Sequence, residues 1–326
     1  MKALALQQSS VRRAAYEKVV IVTRKTELEE LTARFNSVPQ ARFYLEHAGQ
    51  DFMPIASAHA SYQAVLDKVR SLVPRGLRQQ VIERAYLAQY MFGEADLVVT
   101  IGPDGLVVNT AKYLDGQPIL PLNPDPANID GVLLPFTADN FADGFAHSLR
   151  QALPIKAVTM AEAKLNDGQT LLGFNDLFIG ARTHVSARYD IAHQGRSEYQ
   201  SSSGIIVSTG AGSTGWMRSV FTGASGIVKK LGGTIKAPVN QGRLPWDTDR
   251  LLYSVREPFP SKITGTKLVF GVITKDKPLT LTSHMADNGV IFSDGIESDF
   301  VKFNAGSTAS ISLSSRQARI LVRQSM

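Results

Sequence analysis

The sequence predicts an α/β half followed by an all-β half. Three observations carry this. Strands alternate with helical segments up to about residue 150, which implies parallel pairing through crossover connections. From about residue 155, Ser, Thr and Gly become dense and the apolar runs short and closely spaced, the texture of antiparallel sheets. Finally, 326 residues are a soft prior for about two domains of roughly 150 residues each. With 44% apolar and 20% charged residues the chain is globular, and wholesale disorder is excluded.

In order along the chain, residues 18–23 (KVVIVT) are a short β-branched run and read as a strand. Residues 26–94 read as helical, with long side chains and few glycines; within them 61–73 place Tyr62, Val65, Val69 and Leu72 at helical spacing. Residues 95–101 (ADLVVTI) read as a buried strand closed by Gly102-Pro103-Asp104-Gly105, and 119–122 as a third, ending at Asn123-Pro124-Asp125-Pro126. In the second half, strands are expected at 171–174, 204–207, 267–273, 279–282, 290–292 and 309–313. The change of texture puts a domain boundary at 154/155.

Charge and composition narrow the function. Thirty-five Lys and Arg against 29 Asp and Glu give +6 and a pI near 9.4. A basic balance fits nucleic acid, a membrane surface or a polyanionic small molecule. The charges are scattered and form no basic arm or stripe, so a nucleic-acid partner is not expected. No apolar stretch approaches the ~20 residues of a membrane helix, and the mean hydropathy is -0.05; a soluble protein without a membrane partner is expected.

The absence of cysteine excludes disulfides, thiolate metal sites and thiol nucleophiles. The six histidines (His47, His59, His147, His184, His193, His284) form no HxH or HxxxH pattern, which argues against zinc. Residues 1–17 carry Lys2, Arg12 and Arg13, two serines and no acid before Glu17, a weak match to a mitochondrial transit peptide. The plainer reading is an ordinary start leading into the first strand.

Three constellations carry chemistry. Gly102-Pro103-Asp104-Gly105 follows a buried parallel strand, where α/β sheets bind ligands; a carboxylate there can accept a proton or hold Mg²⁺. Pro, Asp and Gly also make plain turns. Ser208-Thr209-Gly210-Ala211-Gly212-Ser213-Thr214-Gly215-Trp216 follows the strand at 204–207, and its glycines and hydroxyls could cradle phosphates. It satisfies GxGxxG but is no Rossmann fingerprint: no acid follows Gly215 until Asp247, and the loop lies in the β-rich half. No Gly-Lys-Ser/Thr follows, so it is no Walker loop either. Asn175-Asp176, flanked by apolar residues, can grip a base edge or ribose diol, or simply turn a hairpin.

In this order, the three resemble the signature of the NAD kinase family: a Gly-Gly-Asp-Gly turn, an Asn-Glu pair, and a Gly- and Thr-rich loop followed by an aromatic. Asn123-Pro124-Asp125-Pro126 with Gly131, Tyr189-Asp190-Ile191, Ser202-Ser203-Gly204, Leu251-Leu252-Tyr253 with Arg256-Glu257-Pro258, and Asp294-Gly295 look most like the branch of the animal mitochondrial enzyme. The resemblance spans roughly residues 18 to 322.

It implies a Rossmann-like nucleotide-binding domain (1–154), a β-sandwich-like substrate domain (155–305) and a C-terminal segment (306–326) returning to the first, a fold shared with diacylglycerol and 6-phosphofructo-kinases. It implies ATP- and Mg²⁺-dependent phosphorylation of the 2′-hydroxyl on the adenosine ribose of NAD. Asp104 would be the general base and, with Gly105, touch substrate. Asn175 and Asp176 would hold the adenosine, and Thr214, Gly215, Trp216 and Ser219 would line the dinucleotide pocket. Gly102, Gly210, Gly212 and Ser213 would lie near the phosphates, with no confident metal ligand among the side chains. A homodimer built through the β-rich half is implied, cytoplasmic in a bacterium or in the mitochondrial matrix of a eukaryote.

The chain departs from the signature in three places. Pro103 replaces a glycine, removing an N–H and fixing φ near about −65°; Leu106 replaces a threonine hydroxyl; Asp176 is one methylene shorter than glutamate. Two alternatives stay open: a non-catalytic NAD(H)-binding sensor, or a kinase of the same superfamily acting on a sugar or lipid hydroxyl.

Overall fold

The computed structural model describes residues 16–234 and 243–323. The transit-peptide expectation for the first 15 residues lies outside them.

The chain enters through β1 (Lys18–Thr23) and three helices, α1 (Glu27–Phe35), α2 (Val38–His47) and α3 (Met53–Leu72). Thr26 and Glu29 form a capping box that starts α1, and Asn36, left-handed at φ 65, ends it. Ser37 caps α2. Then come β2 (Arg78–Glu83), a 3-10 turn (Arg84–Gln89), β3 (Asp96–Ile101), α4 (Asp104–Ala111), β4 (Pro118–Asn123), the two-residue β5 (Phe136–Thr137) and α5 (Phe141–Leu149).

Strands β4-β3-β1-β2 are parallel neighbours. Every residue of β3 and β4 is buried, because successive side chains point to opposite faces and helices cover both. Ile21, Leu97, Val99 and Leu120 pack against Tyr62, Val69, Phe141 and Phe145 on one face. Val20, Val98 and Ile119 pack against Leu106, Val107 and Ala111 on the other.

The expectation of helix throughout 26–94 fails at 78–89. RQQVIE is an edge strand on which Ile82 alone is buried, so it shows no apolar alternation. Pairing with β1, not its own propensity, makes it a strand.

The second half contains β6 (Ile155–Leu165), β7 (Thr170–Gly173), β8 (Asp176–Ala181), β9 (Ala187–His193), β10 (Arg196–Ser202) and β11 (Ile205–Ser208), followed by α6 (Trp216–Lys230). It ends with β12 (Arg250–Val255), β13 (Phe270–Thr274), β14 (Leu279–Ser283), β15 (Gly289–Ser293), β16 (Ile296–Lys302) and β17 (Thr308–Leu321). One antiparallel sheet runs β13-β12-β11-β8-β15-β16. It packs on β6, β9, β14 and β17 through an apolar layer that includes Leu177, Ile179, Tyr189, Ile205, Tyr253 and Ile311, the layered arrangement of a sandwich.

β17 joins the two halves. Its first part pairs antiparallel with β14 and β6; after a register shift between Leu313 and Gln317, Arg319 and Ile320 pair parallel with Pro118 and Ile119 of β4. One 11-stranded sheet therefore runs through both halves.

Candidate functional site at the join of the two halves

Asp104 is the first residue of α4, directly after the carboxyl end of β3. Its carboxylate accepts hydrogen bonds from Leu133 N (2.7 Å) and Val132 N (3.2 Å). Those donors come from the loop after β4, and Asn123 shapes it. Its Nδ2 donates to Ile129 O (3.0 Å) and its Oδ1 accepts from Asp125 N (3.0 Å). Gly131, at φ 67, lies so close to that side chain that a Cβ would sit 2.8 Å from Asn123 Nδ2. Asn123 and Gly131 thus present the amides that orient Asp104. A carboxylate has about four lone-pair sites, so two remain for a substrate proton.

Leu106 is 2% exposed and belongs to the same buried apolar cluster as Val107 and Phe174, against which Ala211 packs. The position that lacks the threonine hydroxyl therefore faces the core. Phe174 immediately precedes Asn175, and Ala211 lies in the middle of the glycine loop, so a neighbour of each of the three constellations belongs to or packs on this one apolar cluster.

Asn175 lies between β7 and β8 and Asp176 begins β8, and the glycine loop is stitched to the chain at Phe174 and Asn175. Thr209 Oγ1 donates to Phe174 O (2.6 Å) and to Asn175 O (3.1 Å), Thr209 N donates to Asn175 O (2.9 Å), and Gly212 N donates to Thr209 Oγ1 (3.1 Å). A Cβ on Gly212 would fall on the Asn175 carbonyl, and one on Gly210 on the Pro245 carbonyl. Ser213 is buried, its hydroxyl donating to Gly210 O (2.7 Å) and accepting from Leu244 N (3.0 Å). Backbone packing therefore accounts for glycine at 210 and 212. Thr214, Gly215 and Ser219 are exposed where α6 begins.

Trp216 opens α6 and stacks on Phe178, with ring centroids 5.9 Å apart and planes at 8°. Phe178 stacks in turn on Phe292 at 4.8 Å, and Arg256 lies 5.5 Å from the Trp216 centroid. These side chains line a cavity of about 550 Å³ on the outer face of the second sheet. Phe178 is two residues beyond Asp176 on β8 and so shares its face.

The tertiary structure adds partners that the sequence pattern leaves unassigned. Asp294, at φ 56 in the turn between β15 and β16, accepts from Asn175 N (2.6 Å), Phe174 N (3.1 Å) and Asp176 N (3.3 Å). Opposite it, Lys112 caps the C-terminal end of α4. Its ammonium donates to Ser293 Oγ (2.8 Å) and lies 3.8 Å from Asp294 Oδ2 and 3.5 Å from Asp299 Oδ2. Asp294-Gly295 enters the sequence reading only through the family resemblance, and its three acceptor contacts require the fold.

Burial, reinforced by the nearby Asp294 charge, pushes the Asp176 carboxyl up to about 7. Burial also pushes Asp294 upward, against the opposing pull of Lys112 and the three backbone amides.

No protein-family model and no curated protein matches the sequence. Solved structures do. A yeast NADH kinase complexed with NADH aligns with a TM-score of 0.57 at 14% identity, over 94% of this chain and 84% of that one. An NAD kinase from Archaeoglobus fulgidus in complex with ATP aligns with a TM-score of 0.53 at 14% identity, over 93% of each chain. The chain has the fold of NAD(H) kinases. Nothing in these NAD(H) kinase likenesses singles out the animal mitochondrial branch. Among the described residues, no helix is long and apolar enough to cross a membrane.

Proposed function

We propose that this protein transfers the γ-phosphoryl group of ATP to the 2′-hydroxyl on the adenosine ribose of NAD, giving NADP. The observation that carries this reading is that the glycine loop is bonded to the Asn175 turn and that Leu106, Phe174 and Ala211, neighbours of the three motifs, share one apolar cluster, in a fold like that of proteins solved with NADH and with ATP. Two lobes, 1–154 and 155–305, would close on the dinucleotide, with 306–326 tying them together. Asn175 and Asp176 would hold the adenosine, while Thr214, Gly215, Trp216 and Ser219 line the rest of the dinucleotide. Asp104 and Gly105 would border the acceptor hydroxyl, and Gly102 the phosphates. The packing of Gly210, Gly212 and Ser213 supports a scaffolding role for them in shaping the Asn175 turn.

In the reaction, the 2′-oxygen attacks the γ-phosphorus, its proton passes to the Asp104 carboxylate, and the bond to the β–γ bridging oxygen breaks to release ADP. Such a transfer asks mainly for positioning and charge stabilisation, with a positioned base contributing about 10²–10⁴ in rate. Among the described residues no three His, Cys, Asp or Glu side chains gather as a metal cage. Mg²⁺ would enter on the ATP phosphates, an ion that is commonly held by substrate oxygens with few protein groups. The ion would neutralise phosphate charge.

One observation favours a second reading, a non-catalytic NAD(H) sensor: Pro103 removes an N–H from the turn and Leu106, where the signature has threonine, is buried in the core. The test is incubation with Mg-ATP and NAD, with the product read by an NADP-specific dehydrogenase and NAD binding measured by calorimetry. NADP formation supports the kinase. NAD binding without NADP would favour the sensor, and ATP consumption with a sugar or lipid acceptor would move the protein to another kinase class. A homodimer through the β-rich half belongs to the same proposal, and sedimentation analysis tests it.

A further inference from the structure

Two carboxyl groups and one ammonium are buried together where the two halves join. The Asp294 side chain is 1% exposed and that of Lys112 4%, and Asp176 is buried beside them. Among the described residues Lys112 is the one cation that pairs with Asp294, and Asp176 pairs with none. Two bare carboxylates in a dry site repel each other, so the cation decides which of them is ionised.

The contacts show which one it is. Asp294 Oδ1 accepts from Asn175 N and Asp176 N, and Oδ2 accepts from Phe174 N on the side where Lys112 lies. An ionised carboxylate can serve all three amides, whereas protonation turns one oxygen into a donor. On Oδ2 that change would strip the Phe174 N–H of its acceptor, in the apolar cluster where Phe174 is fully buried. Burial pushes both carboxyls upward, but Lys112 and the amides pull Asp294 back, while burial and the Asp294 charge together push Asp176 up to about 7.

Lys112 is itself held across the join. It caps α4 in the first half, yet Ser293, Asp294 and Asp299, the partners of its ammonium, all lie on the β15–β16 hairpin. The neighbouring Tyr113 hydroxyl donates to Asp299 Oδ2 at 2.9 Å. Burial and the Asp299 charge push that phenol up to about 12, so it remains a donor.

We propose that Lys112 is the positioning residue of the Asn175-Asp176 turn: its charge keeps Asp294 the anion that holds the amides of residues 174–176, and so aims both side chains at the ligand. The assignment rests on the reading of this turn as the one that holds the adenosine, and it adds the residue of the opposite half that sets the turn. Hydrogen bonds to a charged group are the strong ones, which is why losing the charge loosens the turn.

The experiment compares wild type with Lys112→Met, Lys112→Gln, Lys112→Arg and Lys18→Met. Lys18 pairs with Asp96 at 3.1 Å, at the amino ends of β1 and β3, and serves as a cation whose loss costs stability away from the join. NAD binding is measured by calorimetry, KM for NAD and for ATP by turnover, and amide hydrogen exchange over residues 174–176. Lys112→Met and Lys112→Gln are expected to weaken NAD binding and raise its KM by about 10–100-fold, with the KM for ATP within about twofold. Exchange over 174–176 should quicken in both, and not in Lys18→Met, whose NAD affinity stays near wild type. Lys112→Arg, which keeps the charge, should recover most of the loss. Should Lys112→Met fail to fold, Lys112→Gln, which still donates to Ser293, carries the same comparison. Wild-type NAD affinity in Lys112→Gln overturns the proposal even if the wild type makes NADP. So does a loss that Lys112→Arg leaves in place or that Lys18→Met reproduces. Lys112-dependent NAD binding without NADP formation supports the positioning role and removes the kinase reading, whereas a wild type that binds no NAD removes both.

Discussion

Lys112 and Asp294 meet at the join of the two halves, Nζ 3.8 Å from Oδ2, with side chains 4% and 1% exposed. The pair ties the far end of the helix that begins with Asp104 to the carboxylate that holds the Asn175-Asp176 turn. The proposed base on one half and the proposed binding turn on the other are thus referenced to the same buried contact.

Lys112→Met keeps the apolar stem and removes the charge, leaving Asp294 buried without its cation. Truncating one partner of such a pair costs about 3–5 kcal/mol. Urea denaturation should show that loss, and the double variant with Asp294→Asn should lose less than the sum of the singles. A loss under about 1 kcal/mol would mean that the amides and Ser293 hold the turn without Lys112.

The raised pKa of Asp176 has a definite sign in stability. The ordinary value is 3.8 and the folded value about 7, so the folded state binds the proton more tightly between them. Stability therefore falls as pH rises from about 4 to 7 and levels off above, by a contribution on the order of a few kcal/mol. Asp176→Asn should flatten that decline in denaturation curves taken from pH 4.5 to 8. If the carboxylate accepts a ribose hydroxyl in its charged form, wild-type NAD affinity also rises across pH 6–8 and the variant's does not. Parallel pH profiles in both proteins would remove Asp176 from either role.

Asp104→Asn tests the base. Turnover is expected to drop at least about a hundredfold, with NAD affinity within about tenfold. The amide also turns an NH₂ toward Val132 or Leu133, at a cost of about 1–3 kcal/mol. Unchanged turnover would take Asp104 out of the mechanism and leave it as the clip for its loop.

Two glycines of one loop should behave oppositely. Gly212→Ala places a methyl on the Asn175 carbonyl, where backbone must move; at Gly215 the nearest atom is Gly212 O at 3.5 Å, ordinary contact. Gly212→Ala is expected to lower the thermal midpoint by several degrees and weaken NAD binding together, with Gly215→Ala close to wild type in stability. Equal stabilities would show that the loop yields freely and that packing does not dictate its glycines.

What was legible in the sequence was local. The buried strands at 18–23, 95–101 and 119–122 announce themselves, since a strand covered on both faces is apolar at every position. The turn at Asp104, the Asn175-Asp176 pair and the glycine loop could be found because turns demand particular residues at particular steps. Edge strand β2 was hidden, for most of its side chains face water and carry no pattern.

Only the tertiary structure decided which groups meet. Nothing in the spacing of Lys112, Asp294 and Asn175 reveals one buried network, because long-range pairing leaves no periodicity along the chain. Gly210 and Gly212 read from the sequence as part of a loop that could cradle phosphates; that the carbonyls of Pro245 and Asn175 leave no room for a Cβ there is known only from the fold. The sequence determined most of the elements and the residue types of the proposed site; only the fold places Leu106 and Phe174 in one buried apolar cluster with Ala211 packed against it, because such contacts join residues far apart along the chain.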